Sequence, residues 1–410
     1  MANIKPFKAY RPAKGLEDKI AALPYDVYNR EEAKEVVKAN PLSFLAIDRA
    51  ESQFDDSVST YDDVVYAKAD EMIKAWINDG KFVQDDKECY YLYQEEWKGR
   101  KQTGIVGCAS IDDYEKKIIK KHENTLAAKE QDRINHIDRT NMQTGPIFLS
   151  FCSNSSIDEF MNRYITTEPV YDFTSDDDVT HRVWVIEDDK DIEFIKCAFD
   201  KMDSIYIADG HHRCASAVKV GLKRRAEGKS LGNSESDFFM SVLFPDNQLE
   251  IMDYNRVLKD TAGLSKEQLL DSIGRFCVIE PCDYQYKPES KGCVGMYVDD
   301  CWYKLTFKDE YTSDDAVECL DVAFLQKYIL DGIWGISDPK TDSRIDFVGG
   351  IRGLGELEKR CHEDCKVAFA MYPTSIKELF NVANEGRLMP PKSTWFEPKL
   401  RSGIFLHDIQ

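Results

Sequence analysis

The stretch "IYIADGHHRCASAVKVG", residues 205–221, constrains the fold of this chain more narrowly than any other. It opens with an apolar run short enough for a buried strand, and Asp209-Gly210 then forms a tight turn. Beyond the turn, small and apolar residues recur at intervals of three and four, which predicts a helix that begins near His211. A strand therefore passes directly into a helix where an acid, two histidines and an arginine are concentrated.

This turn combines the features of an anion site. Backbone N–H groups at a helix N-terminus have no intrahelical partner, the helix dipole favours negative charge there, and a glycine lets the backbone come close to a ligand. We predict that Asp209, Gly210 and Arg213 bind phosphate, and that His211 and His212 donate hydrogen bonds or move a proton. The alternative is structural: the aspartate caps the helix and the histidines are buried with satisfied hydrogen bonds.

Composition excludes several classes of protein. With 410 residues, 42% of them hydrophobic, the chain can bury a large core in two or three lobes. The net charge of -20 argues against a surface built to hold nucleic acid, which needs clustered Lys and Arg. Neither a signal-peptide core nor a membrane-length apolar run is present, so a cytoplasmic protein without membrane contact is expected. The twelve scattered cysteines are predicted to be reduced thiols, and "CHEDC" (361–365) is interpreted as structural and not as a zinc site.

Strand-like and helix-like segments alternate along the chain, and several pairs of strands have the pattern of hairpins. Three hairpins are predicted, with turns at Lys98-Gly99-Arg100, Asp246-Asn247 and Asp299-Asp300. Hairpins among helices predict an α+β protein with a mixed sheet and not a doubly wound parallel sheet. We predict three parts: an N-terminal α/β part (1–104), a core with the ADGHHR turn (105–260) and a C-terminal α/β part (261–410).

A second charged stretch is "KKHENTLAAKEQDRINHIDRT", residues 120–140. We predict that a helix begins here at His122 and Glu123, and that the glutamate is a candidate general base among basic neighbours. His122 and Arg133 are candidate substrate-binding residues. The alternative is a charged, solvated helix without a role in function.

The stretch "GRLMPPKSTWFEPKLRSG", residues 386–403, is a basic island in an acidic chain. Its three prolines favour an extended path. Its ammonium, hydroxyl and guanidinium groups suit a phosphate, and we predict contacts from Lys392, Ser393, Thr394, Lys399 and Arg401. The alternative is a proline-rich strap packed over a sheet, with its cations in solvent.

Two shorter motifs supply further candidates. "LPYDVY" (23–28) places Tyr25 and Asp26 on a turn, and we predict that both face a substrate cleft; an Asx turn that leads into the next helix is the alternative. "DYNR" (253–256) ends a strand with Arg256, which is a further candidate for the same anion.

The ADGHHR turn followed by an alanine-rich helix resembles the signature of the ParB/sulfiredoxin-like superfamily, whose members hold nucleotide phosphates at this turn. The chain is more closely similar to the family called domain of unknown function 1015. That similarity is carried by LPYDVY, HENT with DR (122–125 and 132–133), DYNR and MPPKSTWFEPKLRSG (389–403).

Among superfamily members, the free serine kinases resemble this chain in the DGHHR turn and in an upstream HE dipeptide. In those enzymes the glutamate takes the proton from the serine hydroxyl, which implies the same role for Glu123. Sulfiredoxins carry a reactive cysteine where His211 stands, so sulfinic acid repair is not expected. ParB proteins use a Glu-Arg-Arg sequence and bind DNA, which the acidic balance disfavours.

The residues and the resemblance together predict phosphoryl transfer to a small polar metabolite, most specifically by a nucleotide-dependent kinase for a serine-like hydroxyl. The imidazoles and guanidinium of the turn hold phosphoryl oxygens, Glu123 accepts the hydroxyl proton, and Lys392 with Arg401 neutralises charge in the transition state. The expected cofactors are a nucleoside triphosphate or diphosphate and Mg²⁺, with Asp209 or Asp26 helping to hold the ion.

Two other functions use the same anion site. A phosphomonoester phosphatase acting on a phosphoserine-like substrate would place a water where the acceptor hydroxyl lies. A non-enzymatic nucleotide-binding switch would need the phosphate site and no base. In all three cases the expected partner is a small phosphorylated molecule.

Overall fold

A computed structural model describes residues 1–410 of the chain. Most of its strands are short, and the longest form two sheets. In chain order, the strands are β1 Ile4–Lys5, β2 Tyr10–Pro12, β3 Phe82–Gln84, β4 Tyr90–Trp97, β5 Arg100–Ser110, β6 Ile119–Lys120, β7 Met142–Gln143, β8 Ile147–Phe151, β9 Tyr171–Thr174, β10 Thr180–Ile186, β11 Ile205–Asp209, β12 Phe238–Pro245, β13 Ile251–Met252, β14 Tyr254–Leu258, β15 Cys277–Cys282, β16 Cys293–Val298, β17 Cys301–Phe307, β18 Ile345–Gly349, β19 Val367–Ala370, β20 Trp395–Phe396 and β21 His407–Asp408.

The helices vary from a single turn to more than four turns. In chain order, they are α1 Glu17–Ile20, α2 Arg30–Ala39, α3 Leu45–Asp48, α4 Asp63–Asn78, α5 Ile111–Glu115, α6 Ala127–Thr140, α7 Ser155–Tyr164, α8 Asp189–Phe199, α9 His211–Ala226, α10 Lys266–Ile273, α11 Asp321–Phe324, α12 Gly332–Trp334, α13 Leu354–Glu363 and α14 Ile376–Asn384. A π-helix, Leu325–Asp331, joins α11 to α12.

Side-chain caps fix where several helices begin. The side chain of Asn29 accepts a hydrogen bond from the Glu32 N–H at 3.0 Å, and the Glu32 carboxylate accepts one from the Asn29 N–H at 2.8 Å. Ser375 and Glu378 form the same reciprocal pair before α14. Both are capping boxes, which satisfy N–H groups that the first helical turn leaves without partners.

The chain divides into two compact units. Unit 1 comprises Met1–Lys120, Thr125–Leu249 and Pro398–Gln410. Its nine-stranded sheet has the order β6-β11-β8-β12-β5-β4-β10-β9, with β1 paired to β5. β11 is parallel to β6 and β12 is parallel to β8, whereas the other pairs are antiparallel. The sheet is therefore mixed, and the predicted α+β class is confirmed.

Unit 2 comprises Lys121–Asn124 and Glu250–Glu397. Its main sheet has six strands in the order β15-β17-β16-β19-β14-β18, and all its pairs are antiparallel. Helix α13 packs on this sheet through Leu357, which is fully buried together with Val257 and Ala368. The DYNR motif lies at the start of β14, an interior strand of unit 2, so the expectation that the motif ends a strand is wrong.

Two of the three predicted hairpins are confirmed. β4 and β5 pair across Lys98 and Gly99, whose positive φ angles of 51° and 78° suit a tight turn, and β16 pairs with β17 across Asp299-Asp300. The prediction of a hairpin at Asp246-Asn247 is wrong. β12 already has β5 and β8 as neighbours on its two edges, so the next strands pair elsewhere, β13 with β20 and β14 with β18 and β19.

The predicted three-part division runs differently from these units. Its first boundary, between residues 104 and 105, falls inside β5, within the part of that strand that pairs with β4. Its second boundary, between residues 260 and 261, follows β14. The division into three parts stays a prediction, with the bounds 1–104, 105–260 and 261–410.

All twelve cysteines carry free thiols. No helix has both the length and the apolar character that crossing a membrane requires.

One buried acid predicts a pH dependence of stability. The carboxylate of Asp321 accepts the Gly292 N–H at 3.1 Å on each oxygen, and burial outweighs this bond and raises its pKa to about 7. An acid whose pKa is higher in the folded state favours folding at low pH, and that contribution is lost as the pH rises through 7. Each pKa unit between the folded and unfolded states corresponds to about 1.36 kcal/mol of folding free energy.

We expect Asp321→Asn to raise the free energy of unfolding at pH 8 and not at pH 4, as measured with urea. Asp314→Asn, at an exposed position, should leave it unchanged at both pH values.

Candidate functional site

The turn between β11 and α9 has the predicted geometry. β11 ends at Asp209, Gly210 has φ 86°, and α9 begins at His211. The left-handed conformation at residue 210 is one that glycine adopts without strain. Gly210, the N-cap residue of α9, has no side chain to cap the helix, and the N–H groups of a first helical turn have no intrahelical partner.

Asp209 is held as a carboxylate. Its Oδ2 accepts from Nζ of Lys399 at 3.0 Å, and its Oδ1 accepts from the Gly210 N–H at 2.7 Å. Burial opposes its ionisation, but Lys399 and Arg213 outweigh burial and hold the pKa of Asp209 far below its ordinary value. Asp209 thereby holds Lys399 beside the turn, and its predicted contact with phosphate stays a prediction.

Arg213 folds back over the turn. Its Nη1 donates to the carbonyl oxygen of Pro146 at 2.7 Å. A Cβ added to Gly210 would lie 3.1 Å from Nε of Arg213, and one added to Gly145 would lie 3.3 Å from Nη1, so the two glycines make room for the guanidinium. Arg213 forms no ion pair with a carboxylate. A guanidinium has five N–H donors, and most of those on Arg213 are left to bind an anion.

The two histidines of the turn differ in their surroundings. His211 is buried, with 6% of its surface exposed, whereas His212 is half-buried. The N–H of Leu126 donates to Nε2 of His212 at 3.0 Å, so a neutral His212 carries its proton on Nδ1. His212 thereby also caps α6, which begins at Ala127.

A cavity of about 30 Å³, with room for one or two water molecules, lies beside this turn. Its walls bring together Arg213, Arg133 and Tyr25, which come from three separate motifs. Further polar groups in the wall are supplied by Asp48, His136, Gln143, Thr144 and Ser402. The cavity is thus lined by two guanidinium groups and one carboxylate.

Arg133 and Tyr25 form one wall of the cavity. The guanidinium carbon lies 4.0 Å from the centre of the tyrosine ring, and Nη2 pairs with Asp132 at 2.8 Å. Burial opposes the charge of Arg133, but Asp132 and its other neighbours raise its pKa, so it stays protonated. Burial raises the pKa of Tyr25, which stays a neutral phenol.

Sequence reasoning missed all five of these further polar residues, and three of them show why. Asp48 accepts from the Thr144 hydroxyl at 2.8 Å. Burial, and then Arg133, lowers the pKa of His136 to about 4, so its imidazole is neutral at pH 7. His136 follows Arg133 by one helical turn on α6, a spacing visible in the sequence. Asp48 and Thr144 carry no comparable signal.

Asp26 is separated from Tyr25 although they are adjacent in sequence. Both lie in a 3-10 turn, Tyr25–Val27, where the tyrosine is buried and the aspartate is exposed. Asp26 is absent from the wall of the cavity. Its predicted contact with substrate stays a prediction.

Arg401 lies in a buried cluster of unit 1, with 3% of its surface exposed. Its Nη2 donates to both oxygens of Asp177, at 2.5 and 2.6 Å, and its Nε donates to Nε2 of His181 at 3.2 Å. Burial, and then this guanidinium, lowers the pKa of His181 to about 3. Asp177 already balances the charge of Arg401, and the predicted contact of Arg401 with phosphate stays a prediction.

In unit 2 the HENT segment and the strap, defined here as residues 389–394, are bonded to each other. The N–H of Met389 donates to the His122 carbonyl oxygen at 2.8 Å, and His122 Nε2 lies 3.3 Å from the Thr394 hydroxyl. His122 is buried and Glu123 is half-buried. The predicted helix start at these residues is wrong because α6 begins at Ala127, beyond this segment.

Arg256 anchors the strap from β14. Its Nη2 donates to the carbonyl oxygens of Lys392, at 3.1 Å, and Pro391, at 3.4 Å, and its Nη1 donates to that of Tyr254. Only 3% of Arg256 is exposed, and burial without a carboxylate partner lowers its pKa to about 10. Lys392, at the surface, has φ 60°.

The hydroxyl groups of the strap serve its own structure. Ser393 is buried, and its hydroxyl donates to the carbonyl oxygen of Pro390 at 2.6 Å. The carbonyl oxygen of Ser393 accepts from the Thr374 hydroxyl at 3.1 Å. The predicted contacts of Lys392, Ser393 and Thr394 with phosphate stay predictions.

Because three carbonyl oxygens rely on Arg256, we expect Arg256→Met to loosen the strap. Amide hydrogen exchange between Met389 and Thr394 should accelerate on the order of tenfold, since each bond to a charged donor contributes about 1.5–3 kcal/mol. Arg387→Met is the control, because Arg387 pairs with Asp315 near the surface. Equal exchange in the two variants would show that Arg256 does not hold the strap.

Comparison with known proteins gives distant structural likenesses and one family. SbnI with a C-terminal truncation, from Staphylococcus aureus, is 12% identical at a TM-score of 0.39, covering 71% of this chain and 82% of that one. A free serine kinase variant in complex with AMP is 10% identical at a TM-score of 0.38, covering 76% and 88%. A conserved hypothetical protein from Pyrococcus furiosus is 11% identical at a TM-score of 0.34, covering 73% and 93%. No curated protein matches the sequence. The family model described as "Protein of unknown function (DUF1015)" matches residues 4–323, and the chain belongs to this family.

Proposed function

We propose that unit 1 binds a phosphoryl group at the N-terminus of α9, and that the protein transfers it from a nucleotide to the hydroxyl of a small, serine-like metabolite. Arg213 carries the proposal: it is a guanidinium at a helix N-terminus, beside a cavity, and no carboxylate oxygen lies within ion-pair distance of it, although Asp209 is near enough to feel its charge. Because a helix N-terminus and an arginine fork both favour phosphate oxygens, their coincidence supports a phosphoryl ligand.

The charges around the cavity match those of an amino-acid-like acceptor, although the cavity as it stands admits only one or two water molecules and must widen to hold one. Arg133 suits a carboxylate of the ligand, since it stays protonated and stacks on Tyr25. Asp48 suits an ammonium group, since its carboxylate accepts a hydrogen bond from the Thr144 hydroxyl and pairs with no cation. His136, neutral at pH 7, adds a hydrogen-bonding group without adding charge. A site with cations and one anion selects a zwitterion over a simple anion.

In the proposed reaction, the acceptor hydroxyl oxygen attacks the terminal phosphorus of the nucleotide. The new oxygen–phosphorus bond forms as the bond from that phosphorus to the bridging oxygen breaks, which releases the nucleotide one phosphate shorter, and the hydroxyl proton passes to Glu123. His211, His212 and Arg213 hold the oxygens of the transferred group. These roles extend the resemblance to the free serine kinases and to the ParB/sulfiredoxin-like superfamily, and the assignment of unit 1 to that superfamily is part of the proposal.

The residues of the turn do not form a metal site by themselves. No group of three or more His, Cys, Asp or Glu side chains is arranged to hold an ion, and Lys399 and the Gly210 N–H occupy the two oxygens of Asp209. A magnesium ion is therefore proposed only as the companion of the nucleotide phosphates, and no step above depends on it.

Ligand-induced stabilisation tests the binding half of this proposal. A ligand that binds only the folded protein raises its melting temperature. At a ligand concentration one hundred times the dissociation constant, the free energy of unfolding rises by about 2.7 kcal/mol. We expect ATP or ADP to raise it, and serine to raise it further. Nucleotide turnover that depends on serine supports the kinase. Phosphate release from phosphoserine alone would indicate a phosphatase, and binding without turnover would indicate a switch.

A further inference from the structure

A second cavity lies within unit 2, about 160 Å³ in volume. Three aromatic side chains line it: Tyr311, Phe324 and Tyr328. The ring centres of Tyr311 and Tyr328 are 5.2 Å apart at 65°, and those of Phe324 and Tyr328 are 4.9 Å apart at 53°. The rings therefore meet at angles and do not stack as a single layer.

The same cavity is edged by acidic side chains. Glu310 and Glu318 are both exposed and contribute to its wall. Aromatic faces carry negative electrostatic potential, and carboxylates beside them add to it, so this combination attracts cations.

The protein's own cation already occupies part of this surface. Nζ of Lys327 lies 5.3 Å from the centre of the Tyr328 ring and 3.3 Å from a carboxylate oxygen of Glu318. The side chain of Lys327 is 53% exposed, so its ammonium group can move into solvent at low cost. The Tyr328 ring and the Glu318 carboxylate thus stabilise a positive charge. The ammonium group of Lys327, which now lies there, can move away to make room for another cation.

The backbone at this point departs from the regular helix. Lys327 and Tyr328 belong to the π-helix Leu325–Asp331. A π-helix shifts the side chains that follow it relative to an α-helix, and such segments occur frequently at functional sites. Here it places the tyrosine ring and the lysine together at the mouth of the cavity.

We infer that this cavity binds a methylated ammonium group, such as that of choline, against the rings of Tyr311 and Tyr328 that line it, with the ligand replacing the ammonium of Lys327 beside Glu318. A methylated ammonium matches the site in two respects: its positive charge suits the rings and the carboxylates, and its methyl surface suits an aromatic wall. The site lies in unit 2 and is independent of the phosphoryl site proposed for unit 1.

Calorimetric titration of the full-length protein with choline tests the inference, with the uncharged carbon analogue of choline titrated in parallel. Choline should bind, and the analogue of the same shape should bind roughly tenfold more weakly, because it lacks the charge. Lys327→Met should tighten choline binding several-fold, and Glu318→Gln and Tyr328→Leu should weaken it. Lys359→Met, which removes another exposed lysine of unit 2, should leave the affinity unchanged.

Equal affinity for choline and its uncharged analogue would overturn the inference, because shape alone would then account for binding. So would the failure of choline to bind both the wild-type protein and Lys327→Met, or weaker binding by Lys327→Met. Tyr328 packs against Phe276 and Phe324, and Tyr328→Leu can impair folding. Glu318→Gln and Lys327→Met change exposed side chains, and they decide the question in that case.

Discussion

Arg213→Ala is expected to abolish stabilisation by ATP, ADP or phosphoserine while leaving the melting temperature of the unliganded protein nearly unchanged. The side chain makes one hydrogen bond within the protein, to Pro146, and no ion pair, so the fold loses little. A phosphoryl ligand would lose two or more charge-assisted bonds, each contributing about 1.5–3 kcal/mol, which corresponds to a loss of affinity on the order of 100-fold or more. Titration of each ligand by calorimetry measures this loss directly.

Two further variants test whether the charge of Arg213, the shape of its guanidinium or any cation on the same helix accounts for binding. Arg213→Lys keeps the positive charge and loses the planar fork, so its affinity should fall between those of the wild-type protein and the alanine variant. Lys223→Ala removes a cation from the exposed side of the same helix, where it pairs with Asp138, and should change nothing. If the alanine variant binds phosphoserine and ADP as tightly as the wild-type protein does, the turn is structural.

The turn itself was predictable because its determinants are local. Seventeen residues contain a short apolar run, an Asp-Gly pair and apolar residues spaced by three and four. These features predict β11, the left-handed glycine and the start of α9. The hairpin at Asp299-Asp300 is similarly local. At Asp246-Asn247 the same chemistry predicted a hairpin that does not form, because both edges of β12 are occupied by β5 and β8. Which edges are occupied depends on strands more than ninety residues away in sequence, beyond the reach of any local pattern.

The cavity beside the turn in unit 1 was likewise beyond the reach of local sequence patterns. Tyr25, Arg133 and Arg213 were each selected from separate motifs, and their common cavity follows from packing that no spacing encodes. Asp48 was missed because an acid on a single-turn helix resembles any surface acid in sequence, although it is buried with 3% exposed. Arg401 was selected for its charge in a basic stretch, and its partner Asp177 lies more than two hundred residues earlier. Burial and pairing decide the role of a charged residue, and both are tertiary properties.

Glu123→Gln is expected to lower serine-dependent nucleotide turnover by roughly 10² or more while leaving the affinities for nucleotide and serine nearly unchanged. Glutamine keeps the shape and hydrogen-bonding capacity of the side chain but cannot accept a proton at neutral pH. The segment that carries Glu123 is fixed within unit 2, since His122 is bonded to Met389 and the carbonyl oxygen of Asn124 accepts from Lys340 at 3.2 Å. A defined backbone favours a positioned base over a solvated side chain. Steady-state kinetics with serine as the varied substrate provides the measurement.

The control for this variant needs a glutamate whose loss does not disturb the fold. Glu130, the next glutamate in the chain, is unsuitable, because it is buried and its carboxylate accepts from Thr125 and Lys219. Glu363, exposed at the end of α13, suits the purpose, and Glu363→Gln should keep full turnover. If Glu123→Gln also keeps full turnover, the proton goes to another group. Asp209→Asn and Asp26→Asn then identify which: Lys399 and Arg213 outweigh burial and hold the pKa of Asp209 far below its ordinary value, so it is a carboxylate, and Asp26 lies in solvent.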